Sequence, residues 1–313
     1  MLTKFTKYTF LFFIGYYLIS KSFYQYFVFD MLVHYSIYAL IIAFVLLLIY
    51  NVQIRKQKNK SILFLLPLII IPYVVYNEMG YFYTGENAKG EERNLKIISI
   101  NIFSQNNEYQ YLQKYINEET ADVIVLQELT PEWQKNVEFI REKYPYYKEE
   151  PRSNNFGIAV YSKIPLDTVM TKNYIDDIHP SLIGELKVNG KPVSILMTHP
   201  VPPLPTQARF ERRNKQYKLI KEEIDAMSTE NIIMIGDLNS TVYSPNFKLL
   251  QSDKLKDARA GFGLQNSWNA FIPILRTNID QCWVSKNIKV TNFYRGEDIK
   301  SDHFPIIAEL KIE

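Results

Sequence analysis

Ile232-Ile233-Met234-Ile235-Gly236-Asp237-Leu238-Asn239-Ser240 is the stretch whose reading decides the fold. Its short apolar run, closed by glycine, reads as a strand buried on both faces. Asp237 and Asn239 follow two apart, a spacing that turns both side chains the same way in extended backbone. Strand ends that open onto loops are where open α/β sheets place their chemistry. A Gly-Asp-x-Asn turn is weak by itself, because glycine, aspartate and asparagine are ordinary turn residues. It gains weight from its company, since other strands of this chain finish in the same kind of polar residue.

Leu95 to Ile100 reads as a strand ending at Asn101, and Asp122 to Leu126 as a second ending at Gln127 and Glu128. Phe156 to Tyr161 is a third. Asn189-Gly190 separates Ile183–Val188 from Pro192–Met197, a hairpin signal because both turn residues accept positive φ. The second arm of that hairpin delivers Thr198 and His199. Ile279 to Val284 carries Asp280 near its start, and Asp302-His303 immediately precede a last strand from Phe304 to Ile312. Between these, Tyr109, Leu112 and Ile116 space like one face of a helix. Thr130 and Pro131 start another, with an apolar face of Trp133, Val137 and Ile140. A proline-rich loop, Pro200 to Pro205, leads into a long basic helix from about Thr206 to Met227. Hairpins mixed with strand–helix units predict a layered α/β or α+β sandwich over 94–313 rather than a simple parallel sheet. No internal repeat is visible.

The first 79 residues differ. From Tyr8 to Tyr76 the chain is almost purely apolar and aromatic, without the polar face at a 3.6-residue period that a soluble core helix carries. A helix crosses a bilayer with about 20 apolar residues, which predicts spans at about 8–29, 31–50 and 61–77. Lys21 in the first would snorkel to an interface, and the third tolerates Pro67 and Pro72 because membrane helices do. No small-x-small cleavage pattern supports a signal peptide. Lys4 and Lys7 precede the first span, and Arg55, Lys56, Lys58 and Lys60 lie between the second and third. Basic flanks stay cytoplasmic, so the expectation is a multi-pass cell-membrane protein with everything after Asn77 on the extracytoplasmic side. The stretch 80–93 reads as a linker. A net charge of +3 argues neither for nor against nucleic acid. The single cysteine, Cys282, excludes an intramolecular disulfide.

Collected, the strand ends supply Asn101, Glu128, His199, Asp237, Asn239, Asp280, Asp302 and His303. Carboxylate and carboxamide oxygens suit hard cations such as Mg²⁺ or Mn²⁺. No cysteine pair or His-x-x-x-His spacing points to a zinc cage. Histidines among oxygen ligands fit metal-assisted attack of water on phosphate.

These segments resemble the endonuclease/exonuclease/phosphatase (DNase I-like) superfamily: Ile98-Ser99-Ile100-Asn101, Leu126-Gln127-Glu128, Gly157 through Tyr161-Ser162-Lys163-Ile164-Pro165, Thr198-His199-Pro200, Gly236-Asp237-Leu238-Asn239, Ile279-Asp280 and Ser301-Asp302-His303-Phe304-Pro305. They occur in the family's order, and the apolar first part resembles a membrane-attached bacterial branch. The resemblance implies a four-layered αββα sandwich with its site at one end, and divalent-cation-dependent hydrolysis of a phosphoester. By the same resemblance Glu128 is the principal metal ligand with Asn101 beside it, and Asp302 sits near a metal. Asp237 would orient and deprotonate water, and Asn239 would donate to a non-bridging phosphate oxygen. His303 would contact the scissile phosphate with Asp280 fixing its tautomer, and His199 would act as general acid toward the leaving oxygen.

Plainer readings stand beside these. His199 before Pro200 closes a hairpin equally well, Asp280 a strand turn, and Asn101 is an ordinary turn residue. Arg209, Arg212, Arg213 and Lys215 read as a solvated helix face. His34 and His179 have no motif around them. Trp268, Phe271, Ile272, Pro273, Ile274 and Leu275 read either as sandwich core or as an apolar lip beside the metal. The expected partners are the lipid bilayer and a phosphoester substrate, either a lipid headgroup or nucleic acid, with no obligate protein partner. The alternatives to a membrane-attached phosphodiesterase are an extracytoplasmic nuclease and a catalytically idle interaction module.

Overall fold

The computed structural model describes residues 2–56, 65–85, 88 and 90–313. In chain order the helices are α1 (Leu2–Ser22), α2 (Phe27–Val33), α3 (Ser36–Lys56), α4 (Pro67–Met79), α5 (Tyr81–Thr84), α6 (Tyr109–Glu118), α7 (Pro131–Asn136), α8 (Ile140–Lys143) and α9 (Gln207–Ala226). The strands are β1 (Leu95–Asn101), β2 (Val123–Gln127), β3 (Tyr146–Glu150), β4 (Ile158–Ser162), β5 (Leu166–Asn173), β6 (Pro180–Val188), β7 (Lys191–Met197), β8 (Asn231–Asp237), β9 (Leu255–Asp257), β10 (Asp280–Ser285), β11 (Lys289–Arg295) and β12 (Ile306–Lys311).

The strands form two six-stranded sheets, ordered β11-β12-β1-β2-β4-β3 and β5-β6-β7-β8-β10-β9. Period-two alternation explains why the inner strands are apolar on both faces. Leu95 and Ile97 of β1, Val123 and Val125 of β2, and Ile233 and Ile235 of β8 meet between the sheets. Ile98, Ile100, Ile124 and Leu126 point the other way, onto Leu112 and Ile116 of α6 and onto Trp133, Val137 and Ile140. Ile232 and Met234 point away from the sandwich centre onto Tyr217, Ile220 and Ile224 of α9. Helices therefore cover both outer faces of a mixed α/β two-sheet body.

The strands the sequence reading left out, β3, β5, β9 and β11, are the edges of both sheets. An edge strand pairs on one side only and tolerates charge and exposure. Tyr146–Glu150 has no fully buried position, and Leu166–Asn173 is half-buried or exposed throughout. The single helix expected after Thr130 is broken. Thr130 caps α7 by accepting the Trp133 N–H at 3.1 Å, and the chain leaves helical geometry at Val137 before α8. Asn189 (φ 51°) and Gly190 (φ 80°) make the turn between β6 and β7.

The N-terminal helices depart most from expectation. The apolar segment foreseen at 8–29 ends as a helix at Ser22, and α2 follows as a separate short helix. Polar side chains hold the chain at this break. Lys21 pairs with Glu78 at 2.9 Å and donates to the Tyr243 carbonyl at 2.9 Å. The segment foreseen at 31–50 is helical over Ser36–Lys56 instead, because Met31 to Tyr35 are engaged with the sandwich. Among the described residues, Ser36–Arg55 is the one helix long and apolar enough to cross a membrane by length and composition. The segment at 61–77 lies partly outside the described residues, and its described part is helical from Pro67. Within the stretch foreseen as the linker 80–93, α5 is docked on the sandwich. Phe82 is fully buried under the Arg259 guanidinium, 5.2 Å from the ring centre, and the Tyr81 hydroxyl donates to Asp257 at 3.2 Å.

Candidate active site

Strand parity gathers the site. Ile233 and Ile235 face the inter-sheet core, so Asp237, two residues on, faces the same gap where β8 runs out. Cys282 and Val284 give Asp280 the same orientation on β10, and register places Asp280 directly opposite Asp237. Asn101 inherits its direction from Leu95 and Ile97, and His199 from Ile195 and Met197. Gly236 makes the close approach possible. Its φ is 148°, and an added Cβ would overlap the Thr198 carbonyl. Glu128 lies just past β2 with φ 65°, a left-handed turn that carries it out of the strand's alternation.

The acid–base groups converge on one carboxylate. Asp237 Oδ1 accepts the Asn239 backbone N–H at 2.9 Å, and Oδ2 accepts the Asn101 amide at 3.1 Å. His199 Nε2 and His303 Nε2 lie 3.5 and 3.7 Å from that same Oδ2. His303 Nδ1–H donates to Asp280 Oδ2 at 2.8 Å, and that oxygen also accepts the Ser267 hydroxyl at 2.5 Å. This fixes the ring so that Nε2 faces Asp237. Burial alone would lower the His303 pKa, but Asp280, Asp237 and Asp302 outweigh it and push it up to about 10. His199 Nδ1 is buried without a hydrogen-bond partner. Asn239 donates one amide hydrogen to the Pro200 carbonyl at 2.9 Å, leaving its second free for a ligand.

Glu128 is held by Asn101, whose amide donates to Oε1 at 3.2 Å, and by the Ser104 N–H on Oε2 at 2.8 Å. Asn101 Oδ1 accepts the Phe103 N–H at 3.0 Å, so the carboxamide braces Glu128 and Asp237 from behind. Asp302 Oδ2 accepts the Trp268 indole N–H at 3.1 Å, while its Oδ1 is buried without a hydrogen-bond partner, 3.9 Å from His303 Nε2. Burial, with the charges of Glu128 and Asp237, pushes the Asp302 pKa up against the pull of His303.

A cavity of about 740 Å³ opens over these groups. Glu128, His199, Asp237, Asn239, Asp302 and His303 line it, while Asn101 and Asp280 stand behind as supports. All the strand-end residues singled out from sequence thus meet at one end of the sandwich. The lining contains three carboxylates and, among the described residues, no lysine or arginine. Buried carboxylates in excess over cations are costly unless a counter-charge joins them. Asp237, Asp280 and His303 each offer a ligand atom within 4.8 Å of one another. Those three already engage one another, so Glu128 and Asp302 Oδ1, which lacks a hydrogen-bond partner, are the oxygens that fit a hard divalent cation.

A sequence profile described as the endonuclease/exonuclease/phosphatase family matches residues 98–303, from the first inner strand to the site histidine. The chain belongs to that family. Its members are divalent-metal-dependent, and the protein is an enzyme of the nuclease and phosphoesterase class. No curated protein matches it by sequence. Solved structures share the fold of this family member. D. rerio TDP2 complexed with single strand DNA product superposes with a TM-score of 0.60 at 18% identity, covering 70% of this chain and 99% of that one. An endonuclease/exonuclease/phosphatase from Bacteroides vulgatus gives 0.56 at 18%, covering 70% and 99%. Sphingomyelinase C from Streptomyces griseocarneus gives 0.54 at 18%, covering 69% and 98%.

The structure also adds residues. Met31, His34 and Tyr35 line the same cavity. His34 Nδ1 accepts the Thr241 N–H at 3.3 Å and lies 2.9 Å from its hydroxyl, just beyond the Gly-Asp-x-Asn turn. The signal available in the sequence was Asp30, a carboxylate in an apolar stretch, which demands a partner. That partner is Arg213 of α9, 2.9 Å away, both side chains fully buried. Arg213 is therefore not part of a solvated face. His179 bonds Asp176 at 2.7 Å and packs against Phe156, which in turn packs on His199. The reading of 268–275 as sandwich core is also corrected. Phe271, Ile272, Ile274 and Leu275 are exposed, and Trp268 lines the cavity.

Proposed function

We propose that this protein is a membrane-anchored, Mg²⁺- or Mn²⁺-dependent phosphodiester hydrolase. The observation that carries the reading is the convergence of His199 and His303 on one oxygen of Asp237, beside carboxylates that no lysine or arginine among the described lining residues neutralises. A phosphate entering that cavity would be repelled unless a cation accompanied it. Glu128 and Asp302, with Asn101 as a brace, are the residues that would hold it. When bound, such a cation neutralises phosphate charge and polarises the phosphorus–oxygen bond.

The remaining roles belong to the chain's own side chains. Asp237, oriented by Asn101 and the Asn239 N–H, takes the proton of the attacking water. His303, protonated and aligned by Asp280, presents Nε2–H to a phosphate oxygen where charge develops. The free amide hydrogen of Asn239 reaches a second such oxygen. His199 supplies a proton to the leaving oxygen.

Membrane attachment is supported by the N-terminal helices. Lys21, at the end of α1, bonds Tyr243 of the sandwich, and Tyr35, at the start of α3, bonds Leu275. The two helices pack together through Phe10, Leu40, Ala43 and Leu47. Their basic ends, with Lys4, Lys7 and Arg55, therefore point away from the catalytic body, the distribution expected of a cytoplasmic side.

Cation dependence tests the reading. Purified full-length enzyme should lose hydrolysis of bis(p-nitrophenyl) phosphate in excess chelator and regain it with Mg²⁺ or Mn²⁺. Glu128→Ala should raise the cation concentration for half-maximal rate by ~10-fold or more, the effect of losing one ligand contact of about 1.4 kcal/mol. Undiminished turnover in chelator would sink the proposal.

A further inference from the structure

The cavity has one wall that does not come from the sandwich. Met31, His34 and Tyr35 belong to the end of α2 and the turn into α3, yet they line the same space as Glu128, Asp237, Asn239 and His303. They are held there by a web of polar contacts. Asp30 pairs with Arg213 and accepts from Ser244 and Asn246 at 2.5 and 2.9 Å. His34 is bound to Thr241, and the Tyr35 hydroxyl donates to the Leu275 carbonyl at 3.3 Å.

The position of this wall in the chain is informative. Tyr35 is followed at once by the helix whose length and composition suit a bilayer crossing, so the site and that helix are continuous. Apolar side chains are exposed in the chain segments that carry or touch cavity residues. One group is Tyr26, Val28 and Met31, of which Met31 lines the cavity. The other is Phe271, Ile272, Ile274 and Leu275, Ile274 with 89% of its surface free. Leu275 is tied to Tyr35, and the Phe271 ring meets Phe103, a cavity residue, edge-on at 6.5 Å. Exposed apolar side chains tied to cavity residues mark an interaction surface, and beside a helix whose length and composition suit a bilayer crossing the surface that fits them is lipid. The interior points the same way. A polynucleotide is gripped along its backbone by lysine and arginine, and the described lining has neither.

We infer that the turn Met31–Tyr35 is a substrate-specificity wall of the active site, and that it selects a phospholipid phosphodiester drawn from the bilayer into which α3 leads. The inference rests on the phosphodiesterase reading above. The headgroup phosphate lies at the Asp237–His303 end, and the apolar chains leave between Met31 and Tyr35 on one side and Phe271 on the other. In the reaction the water oxygen bonds to phosphorus, one ester P–O bond breaks, and a proton ends on the released oxygen.

The test uses full-length enzyme in detergent micelles with Mg²⁺. Three substrates are compared: mixed micelles of phosphatidylglycerol and phosphatidylcholine, bis(p-nitrophenyl) phosphate, and a single-stranded oligonucleotide. Wild type should cleave phospholipid with the highest kcat/KM. Met31→Glu should raise KM for phospholipid about tenfold more than for the soluble diester, the range over which a pocket resolves apolar groups. Ile274→Asp, at an exposed position that does not endanger folding, should act in the same direction, and thermal melts confirm that both variants are folded. Equal KM changes for both substrates in the folded variants, or preference of the wild type for the oligonucleotide, would overturn the lipid wall and leave the hydrolase standing. Absence of turnover on all three substrates would remove the hydrolase reading, and the wall with it.

Discussion

Asp237 carries more of this site than any other residue, since both of its oxygens are committed to orienting donors and both histidines face the same one. A base so held loses function when its charge is removed even if its shape is kept. Asp237→Asn and His303→Ala should each lower kcat by ~10²-fold or more, the scale for removing an acid–base group. Because both act on one transition state, the double variant should cost less than the product of the singles. Fully multiplicative losses in a steady-state assay would mean that the two work in separate steps. These residues were legible because a two-residue period carries the direction of a core side chain forward to the strand's end. His34 was not, since nothing local distinguishes a histidine between apolar helices until its neighbours in space are known.

At the scale of elements, α2 is the hinge between the apolar helices and the sandwich, and its docking depends on charge. Burial lowers the His34 pKa to about 4, Arg213 and Lys21 adding to the effect and Asp30 opposing it. Burial would raise Asp30, yet Arg213, His34, Ser244 and Asn246 hold it below the ordinary carboxylate range. For His34 the unfolded chain, with a pKa of about 6.5, binds the proton more readily than the folded one. Its contribution to stability is therefore intact above pH ~6.5 and is lost as pH falls toward 4. Thermal melts of full-length protein between pH 7 and pH 5 should show a steeper fall for wild type than for His34→Gln. Parallel slopes would mean that His34 is free to take up its proton in the folded state. The inner strands and α9 were legible from periodicity. The edge strands β3, β5, β9 and β11 were not, because one-sided pairing asks little of their side chains.

Across the whole molecule, the proposed membrane attachment would set the docked N-terminal helices in a bilayer beside the active-site end of the catalytic body. If the basic ends of α1 and α3 stay in the cytoplasm, the site lies outside. A reporter that fluoresces only in the cytoplasm, fused after Glu313, should then be dark in intact cells, while one requiring export should be active. A bright cytoplasmic reporter would reverse the orientation and place the enzyme among intracellular phosphoesters.

By itself the sequence determined a layered sandwich of strands and helices and the polar strand ends that form the site, which follow from short-range rules: alternation along a strand and turn residues at fixed spacing. The two-sheet architecture and the family came from the resemblance of its motifs, in order, to a known family. Only the tertiary structure decided that the stretch foreseen as the linker 80–93 includes a docked helix, that Arg213 is buried against Asp30, and that Met31, His34 and Tyr35 close the cavity. The physical reason is sequence distance. An ion pair between residues 30 and 213 leaves no periodic trace in either segment, and its stability exists only once the sandwich has brought α9 to where α2 can meet it.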